Sequence, residues 1–500
     1  MINTFNTLKL VQLGIDTQKE FVVFMRKDCH ICKSEGFEAH NRVLVTVKGK
    51  SIIATLYIIT DGILKKGKAG LSNSAWSQLN AIEEDEISFA HVQPVASMGC
   101  VRSKMYGKKL NKIAFQNIIN DIVKGQYSNI EIASFITSCA GDNLNIQEII
   151  GLTEAMVNSG QKLSWINKIV VDKHCVGGLP GNRTTPIVVS IIAQAGLTIP
   201  KTSSRAITSP AGTADTLETM TTVNLDLKKI KKVVEKENGC FVWGGSIKLS
   251  PADDILIRVE RALDIDGEGQ MIASVLSKKS AAGSTHVLID IPIGKTAKVR
   301  TEEDAEKLKY YFTVVGKALG LEVKVLLTDG SQPIGRGIGP ALEAMDVLSV
   351  LRNENEAPQD LRNKSLLIAG SIIDLANNQK NGNGFISAER ILSSGKAYEK
   401  FIAICKAQGG FREPELAAFK MDIHAEKPGI ITEIDNRRLA KIAKLAGAPH
   451  DPKAGVLLHT PLKTRVDKGD LLFCIYAETE GELNYAIEYL KTEQDIILIQ

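Results

Sequence analysis

Residues 166–195 constrain the fold of this chain more than any other segment, because a glycine-rich turn joins two apolar runs there. The first run, Ile166–Val171, is typical of a buried strand, and the second, Ile187–Ala195, is long enough for a helix. Strand, glycine turn and helix together aim backbone N–H groups and a helix dipole at an anion. The segment therefore predicts an α/β unit that binds an anion, although this turn alone leaves open a connection without a ligand. Three glycines let the backbone curl around the anion: Gly177, Gly178 and Gly181.

A second polar turn, in Lys201–Asp215, follows the apolar helix and opens another helix, predicted over Thr213–Met220. Asp215 and Glu218 fall in the first turns of that helix, where its dipole favours carboxylates. One or two hydroxyls would serve as helix caps, but this segment carries six. Two such turns in one sheet are expected to converge on one oxyanion, such as phosphate. The six hydroxyls belong to Thr202, Ser203, Ser204, Thr208, Ser209 and Thr213.

Both turns carry extended motifs. The first reads Asp172-Lys-His-Cys-Val-Gly-Gly178, and the second reads Ser203-Ser-Arg-Ala-Ile, then Ala211-Gly-Thr-Ala-Asp215. On these motifs the chain resembles the thymidine and pyrimidine-nucleoside phosphorylases, most closely the branch that includes archaeal AMP phosphorylase. Cys175 departs from the family serine, and Pro210 is a feature of the AMP phosphorylase branch. Further matching motifs, in order, are Trp243-Gly-Gly, Ser250-Pro-Ala-Asp-Asp254, Ser277-Lys-Lys279, Gln332-Pro-Ile-Gly335, Gly429-Ile-Ile-Thr-Glu-Ile-Asp435 and Val466-Asp-Lys-Gly-Asp470.

The composition argues against several other classes of protein. With 44% hydrophobic residues, 24% charged residues and a net charge of +4, the chain is typical of a soluble globular protein. It has no Lys/Arg-rich tract, so nucleic acid is not an expected partner. The apolar stretches Ile187–Ala195 and Ser365–Ala376 are too short or too interrupted to cross a membrane, and Met1–Asn6 does not resemble a secretory signal. We therefore expect a cytoplasmic enzyme of two to four domains.

The eight cysteines do not make a disulfide framework in a chain of 500 residues. The Cys-x-x-Cys pair of Cys29 and Cys32 lacks the second cysteine pair of a structural zinc site, even with His40 nearby. We expect reduced thiols and no metal there. Cys175 follows His174, but adjacent side chains usually point apart, so we interpret Cys175 as part of the anion-binding turn and not as a nucleophile.

The patterns predict a multidomain α/β protein with a mainly helical segment, a large, mainly parallel α/β domain and β-rich domains at both termini. The resemblance implies that the helical domain is discontinuous and lies across a cleft from the α/β domain. The β-branched runs Arg42–Val47 and Ser51–Ile59 indicate strands, and the periodicity of Asn111–Gly125 indicates a helix. The C-terminal region is expected to carry short strands and one helix, Arg437–Leu445. The predicted domains are 1–92 (β-rich), 93–163 together with 250–282 (helical), 164–414 (phosphate-binding α/β) and 415–500 (C-terminal).

The resemblance implies a reaction and the residues that perform it. The family transfers a pentose from a nucleobase to inorganic phosphate, which is a co-substrate, and it uses no other cofactor and no metal. The implied phosphate contacts are Lys173, Cys175, Thr185, Ser203 and Thr213. Positions that match the nucleotide contacts of the AMP phosphorylase branch are Gly178, Ser204, Arg205, Ala206, Ile207, Thr208, Ser209 and Thr213. Asp266 would protonate the leaving base, with Ser274, Lys278 and Lys298 as base or substrate contacts, and the subunits would form a homodimer.

Several alternatives stay open. The substrate is thymidine or another pyrimidine nucleoside, or else a nucleoside 5′-monophosphate such as AMP, which the extra N-terminal domain favours. A phosphoribosyltransferase shares the general architecture but normally needs metal-binding carboxylates for diphosphate, for which Asp253-Asp254 is the candidate pair. A non-catalytic nucleotide-binding regulator is the third class. Without the resemblance, Asp266 fits a turn residue before Gly267, and Lys278 fits a solvated helix face.

Overall fold

The fold is that of a computed structural model. The structure describes residues 7–60, 62–206, 209–247, 249–265, 267–378, 382–493 and 495–500. Three of the expected site residues, Ile207, Thr208 and Asp266, lie outside the described residues. The chain divides into two compact units, Met1–Ser138 and Cys139–Gln500.

The first unit contains a closed β-barrel, which agrees with the β-branched runs near the N-terminus. In barrel order, its strands are β1 (Thr7–Gln12), β5 (Lys68–Leu71), β2 (Val22–Arg26), β4 (Lys50–Ile59), β3 (Arg42–Val47) and β6 (Glu86–His91). Alternate residues of β3 point into the barrel, so that Val43, Val45 and Val47 are fully buried. The β3–β4 hairpin turns at Lys48 and Gly49, both at positive φ, which is the turn geometry that matches strand twist.

Helices accompany the barrel in this unit. They are α1 (His30–Glu35), α2 (Asn73–Leu79), α3 (Met98–Met105), α4 (Lys112–Val123) and α5 (Asn129–Cys139). The helix predicted over Asn111–Gly125 is confirmed as α4. It begins at Asn111 because the Asn111 side chain accepts a hydrogen bond from the Ala114 N–H at 2.9 Å. Its apolar face is buried, including Phe115 and Ile119.

Parallel strands form the centre of the second unit, as the alternating strand and helix patterns predict. β10 (His286–Ile293) lies between β7 (Val171–Cys175) and β11 (Glu322–Asp329), and β8 (Ile199–Ser203) pairs with β9 (Gly239–Trp243). A parallel bridge between Val170 and Thr198 joins the two groups. The carboxyl ends of β7 and β8 are therefore neighbours, and the turns that follow them meet at one edge of the sheet.

The strand before the glycine turn differs from its prediction. The expected strand Ile166–Val171 is wrong, because β7 begins at Val171 while Ile166 and Ile169 are exposed. The polar segment Asp172–Cys175 occupies the strand instead, in register with the first half of β10. Oppositely charged side chains on neighbouring elements pair with this strand, which lowers the free-energy cost of burying its polar side chains.

Helices surround the parallel strands. The helix predicted at Ile187–Ala195 is confirmed as α7 (Thr184–Gln194), which is buried along most of its length. The other helices of this region are α6 (Ile146–Asn158), α8 (Thr213–Glu218), α9 (Leu227–Glu237), α10 (Pro251–Leu263), α11 (Glu268–Ala281), α12 (Glu302–Ala318), α13 (Pro340–Leu351), α14 (Gln359–Ala376), α15 (Asn383–Ser393) and α16 (Lys396–Gln408), with short 3₁₀ turns at Gly141–Asn143 and Gly244–Ser246. α11 packs against α6, a contact that a helical domain made of 93–163 and 250–282 would need. Those domain boundaries stay a prediction.

The C-terminal region carries antiparallel strands and differs from expectation in its helices. Its strands are β13 (Phe419–His424), β14 (Gly429–Ile434), β15 (Gly455–Leu458), β16 (Arg465–Val466), β17 (Leu471–Ala477) and β18 (Ile497–Ile499), and β12 (Gly337–Ile338) joins β15 from the α/β region. The helix predicted over Arg437–Leu445 is confirmed as α17 (Asn436–Leu445). The expectation of a single helix is wrong, because α18 (Glu480–Thr492) packs beside α17.

Among the described residues, every helix is either too short or too polar to cross a membrane.

One glycine in the core tests this packing. Gly370 lies inside α14, where a glycine costs about 0.5–1 kcal/mol relative to alanine. A Cβ at Gly370 would stand 2.6 Å from the backbone of Phe385 in α15, so the close approach of the two helices requires the glycine. We expect Gly370→Ala to lower the free energy of unfolding by about 1–3 kcal/mol in urea denaturation. The control Gly99→Ala in α3 has open space around its Cβ and should leave stability unchanged or higher. Equal effects of the two substitutions would contradict the packing described.

Candidate active site

The first loop, residues 176–183, connects β7 to α7, and Lys173 stands just before it. The Lys173 side chain is buried, and its ammonium donates a hydrogen bond to the Thr184 hydroxyl at 2.7 Å. Burial lowers the pKa of Lys173 to about 8, although the nearby Asp290 opposes that shift. An ammonium has three N–H donors, so the contact with Thr184 leaves Lys173 able to bind an anion.

Arg183 joins the first loop to the second loop, residues 204–212 between β8 and α8. Its guanidinium donates to the Thr213 hydroxyl at 2.7 Å and to the Ala211 carbonyl at 3.0 Å. Glu343, at the start of α13, accepts the third bond from Arg183 at 2.5 Å. Burial raises the pKa of Glu343 to about 7 even though Arg183 favours the carboxylate. The two loops are thus held together by one partly buried arginine.

Asp172 ties three elements together beneath the loops. Its carboxylate lies 3.3 Å from the Lys201 ammonium on β8 and 2.8 Å from the Lys279 ammonium on α11. All three side chains are nearly inaccessible to solvent. Burial by itself would raise the pKa of Asp172, but the two ammonium groups outweigh it and hold the pKa below its usual value. Asp172 therefore stays ionised and fixes α11 against the ends of β7 and β8.

α11 also presents Lys278, one of the expected base contacts. The Lys278 ammonium donates to Asp253 at 2.7 Å and to the Ser274 hydroxyl at 3.1 Å, so two expected contacts lie together. His174 on β7 lies within the electrostatic influence of this helix. Burial, together with Lys279, Lys201, Lys278 and Lys173 in that order, lowers the pKa of His174 well below its ordinary value. His174 is accordingly a neutral imidazole at physiological pH.

Gly178 and Lys298, both expected contacts, meet in the structure. Gly178 has φ +79°, a conformation that side chains rarely adopt. A Cβ there would lie 2.4 Å from the Lys298 backbone nitrogen. The close approach explains why the first loop needs glycine at this position, and it sets Lys298 beside that loop.

Cys175 does not have the surroundings of a nucleophile. Asn182 donates a hydrogen bond to the Cys175 sulfur at 3.1 Å, across the first loop. Burial, supported by the charge of Asp290, raises the pKa of Cys175 to about 11, so the thiol is protonated at neutral pH. A nucleophilic cysteine needs the thiolate. The interpretation of Cys175 as part of the turn is consistent with these surroundings.

Several expected contacts of the second loop are engaged within the protein. Arg205 forms ion pairs with Asp215 and Glu218 and lies 4.9 Å above the Trp243 ring. The Ala206 N–H donates to the Asp215 carboxylate at 2.7 Å. These bonds give Arg205 and Ala206 a role in holding the loop rather than in reaching a ligand directly.

The expected polar contacts in and around the second loop divide into groups bonded within the protein and groups that are not. The Ser209 hydroxyl donates to the Ala211 carbonyl at 3.0 Å, and the Ser204 carbonyl accepts from the Ala214 N–H at 3.2 Å. Ser203, in contrast, has a buried hydroxyl with no hydrogen-bond partner among the described residues. Thr185 is buried in the first turn of α7, next to Thr184. The Ser203 hydroxyl is therefore able to donate to a bound group.

A cavity of about 1080 Å³ is lined in part by residues of the second loop and of α8. Its basic lining residues are Arg205, Arg261, Arg412, Lys444, Lys453 and His450, and its acidic ones are Asp215, Glu218, Glu413 and Glu415. Arg205 and Lys453 are neutralised by carboxylates in the same lining, whereas Glu413 pairs with Arg352 outside it. Burial and the charges of Lys441 and Arg261 lower the pKa of Lys444. The excess charge of the cavity is thus positive.

No group of three or more His, Cys, Asp or Glu side chains in the described part of the chain is arranged to bind a metal ion.

The sequence analysis assigned no structural role to the residues that position the site. Arg183 and Thr184 follow the first motif by a few residues, so their place beside the first loop could have been inferred. Glu343 lies 160 residues from Arg183, and no local pattern identifies it. Asp172, Lys201 and Lys279 are charged residues in apolar surroundings, and that burial becomes evident only in the fold.

The Arg183–Glu343 pair predicts a pH-dependent stability. Because the folded pKa of Glu343 is raised, its contribution to stability is present below the unfolded value of 4.5 and falls as the pH rises through about 7. Arg183→Met removes the cation and raises that pKa further. We expect Arg183→Met to lose about 3–5 kcal/mol of unfolding free energy at pH 8 and less at pH 5, by urea denaturation.

The double variant Arg183→Met/Glu343→Gln is the control, because it removes the isolated carboxylate. It should regain part of the loss at pH 8. If Arg183→Met lost the same free energy at both pH values, the buried pair would not govern this part of the site.

Comparisons with known proteins agree with this architecture. Residues 99–160 match the helical bundle domain of a glycosyl transferase family, residues 167–398 match its a/b domain, and residues 430–497 match the pyrimidine nucleoside phosphorylase C-terminal domain. A relative from Hahella chejuensis, named "Putative thymidine phosphorylase", is 54% identical over 99% of this chain and 98% of its own length. A relative of the same name from Legionella pneumophila (strain Paris) is 53% identical over 99% of this chain and 96% of its own length.

Solved structures with the same fold include two anthranilate phosphoribosyltransferases. The enzyme from Thermus thermophilus superposes with a TM-score of 0.51 at 18% identity, covering 62% of this chain and 98% of that one. The Saccharomyces cerevisiae enzyme in complex with PRPP and Mg gives a TM-score of 0.50 at 13% identity, covering 63% and 98%. At these identities the likeness shows the fold alone. The near-complete relatives show more, and the chain belongs to the thymidine and pyrimidine-nucleoside phosphorylase family of glycosyl transferases.

Proposed function

We propose that the protein catalyses the phosphorolysis of thymidine, in which thymidine and phosphate give thymine and 2-deoxyribose 1-phosphate. Membership of the family supports pentosyl transfer to phosphate. The observation that carries the proposal is the bridge made by Arg183, which joins the two polar loops at one edge of the sheet. In this arrangement Lys173 and Ser203, at the ends of β7 and β8, bind the same anion.

Phosphate binds between the two loops in this proposal. The Thr184 hydroxyl accepts from Lys173 and the Thr213 hydroxyl accepts from Arg183, so each has its own proton left to donate to phosphate. The buried Ser203 hydroxyl, without a partner among the described residues, supplies another donor. Thr185 and Cys175 line the same turn. Lys173 provides the full positive charge, which strengthens these hydrogen bonds.

The nucleoside lies on the side of α11 in this proposal. Asp253 and Ser274 hold Lys278, which then contacts the base, and Lys298 is placed beside the first loop by Gly178. Asp266 donates a proton to the leaving base. General acid catalysis of this kind contributes typically about 10²–10⁴-fold to the rate. The family also supports a homodimer and a cytoplasmic location as parts of the proposal.

A nucleoside 5′-monophosphate is the second candidate substrate, and one observation favours it. The positively charged cavity adjoins the second loop, where Ser204, Arg205, Ala206 and Ser209 match nucleotide contacts of the AMP phosphorylase branch. Arg412 and Lys444 in its lining would attract a 5′-phosphate. The product would then be ribose 1,5-bisphosphate. Arg205 would act in this case by holding the loop.

The substrate can be identified by measuring phosphate-dependent release of the base from thymidine, uridine, cytidine, AMP, CMP and UMP. We expect thymine release from thymidine that requires phosphate, with 2-deoxyribose 1-phosphate as the second product. Adenine release from AMP in place of thymine release would favour the second candidate. A base released only in the presence of diphosphate, or no base released at all, would contradict phosphorolysis.

The same assay tests Lys173 through its pH dependence. The lowered pKa of Lys173, about 8, means that the ammonium loses its proton as the pH rises through that value. We expect the KM for phosphate to rise about tenfold per pH unit above that point. Lys173→Met should raise the KM by about ten- to a hundredfold at pH 7, as expected for one charged hydrogen bond, and should remove the rise at high pH.

Lys168→Met is the matched control for Lys173→Met, because Lys168 is an exposed lysine shortly before the same strand. It should keep both the wild-type KM and its rise above pH 8. A Lys173→Met protein that retained the wild-type pH profile would show that another group binds the phosphate.

A further inference from the structure

The barrel of the first unit carries a pair of cysteines that the proposed reaction does not use. Cys29 is the N-cap residue of α1, and Cys32 is the third residue of that helix. Side chains at these two positions lie next to each other, as they do in a capping box, because one turn of helix separates them. Residues three apart at the start of a helix are neighbours, and Cys-x-x-Cys pairs are a recurrent redox motif. The backbone therefore places the two cysteines at the N-cap and the third residue of one short helix, as a Cys-x-x-Cys pair.

The two thiols differ in their access to solvent. Cys32 is 6% exposed and packs in the barrel core with Ile31 and Phe37, whereas Cys29 is half-buried at the edge of that core. A small buried thiol is common in protein cores, so packing alone would account for Cys32. Packing does not account for Cys29, because its side chain is partly exposed and a reagent in solution can reach it.

The protonation of the pair is also unequal. The hydrogen bond from the Cys32 thiol to the Cys29 sulfur, together with the charge of His30, lowers the pKa of Cys29 to about 6. The same hydrogen bond, with burial, raises the pKa of Cys32 above its usual range. An accessible thiolate beside a shielded thiol is the arrangement found in reactive Cys-x-x-Cys sites.

We propose that Cys29 and Cys32 form a redox-active dithiol that exchanges with small-molecule disulfides such as oxidised glutathione. The Cys29 thiolate attacks one sulfur of the disulfide, forms a mixed disulfide and expels the other half as a thiolate, which takes up a proton. The Cys32 thiol then loses its proton to solvent and attacks the Cys29 sulfur, which expels the second half as a thiolate that is protonated in turn. The two protein thiols are oxidised to one disulfide, and one external disulfide is reduced to two thiols.

The test uses the full-length protein equilibrated in glutathione buffers of graded oxidation, then quenched with an alkylating reagent and mapped by mass spectrometry. We expect a Cys29–Cys32 disulfide in wild type. Cys32→Ser should stop at a mixed disulfide between Cys29 and glutathione, because the second thiol is missing. Cys29→Ser should form neither product. These three outcomes separate an exchanging pair from two independent thiols.

Cys100 supplies the matched control, since it is also half-buried and free but has serine at both positions three residues away. In wild type, iodoacetamide at pH 6.5 should alkylate Cys29 at least about tenfold faster than Cys100, because the thiolate is the reactive form. That measurement needs no variant, so a misfolded substitution cannot obscure it. If Cys29 and Cys100 reacted equally, or if Cys29 and Cys32 both stayed reduced in every buffer, the proposal would be overturned.

Discussion

The candidate active site depends on the buried carboxylate of Asp172. It pairs with Lys201 on β8 and with Lys279 on α11, and so it connects the ends of β7 and β8 with the helix that carries the expected base contacts. Each of these charges would be costly to bury alone. Removing Asp172 would leave two ammonium groups in the interior, and β8 and α11, which carry them, would repel each other. β7, β8 and α11 are held together because one carboxylate attracts both ammonium groups.

The other charged residues of the site differ in whether a carboxylate pairs with them. Arg183 is neutralised by Glu343, and its other N–H groups donate to the second loop. Its role is therefore structural. Lys173 has a different environment, since its contact is the neutral Thr184 hydroxyl and its pKa is lowered by burial. Binding of an anion stabilises a buried ammonium of this kind, because it offsets the free-energy cost of burying the charge. The site therefore separates the charges that hold the loops from the charge that is available to a bound anion.

Much of this architecture could be predicted from the sequence, because α4, α7 and the β3–β4 hairpin have local signals in periodicity, caps and turn residues. Hydrophobicity alone places the strand before the first loop too early, since it favours Ile166–Val171 over the polar strand that forms. Pairing of Asp172 with distant lysines makes that polar strand stable. Glu343 could not be found, because only the tertiary fold brings it to Arg183. The motifs identified the loops, but they could not show that Arg205 and Ala206 act within the second loop.

The central claim is that the two loops form one phosphate site. It is tested most directly by isothermal titration of the protein with inorganic phosphate, using Lys173→Ala in the first loop, Ser203→Ala in the second loop, and the double variant. The account predicts one phosphate per chain, weaker binding in each single variant, and losses in the double variant that do not add, because both side chains contact the same anion. Two phosphates per chain, or unchanged affinity in Ser203→Ala, would contradict it.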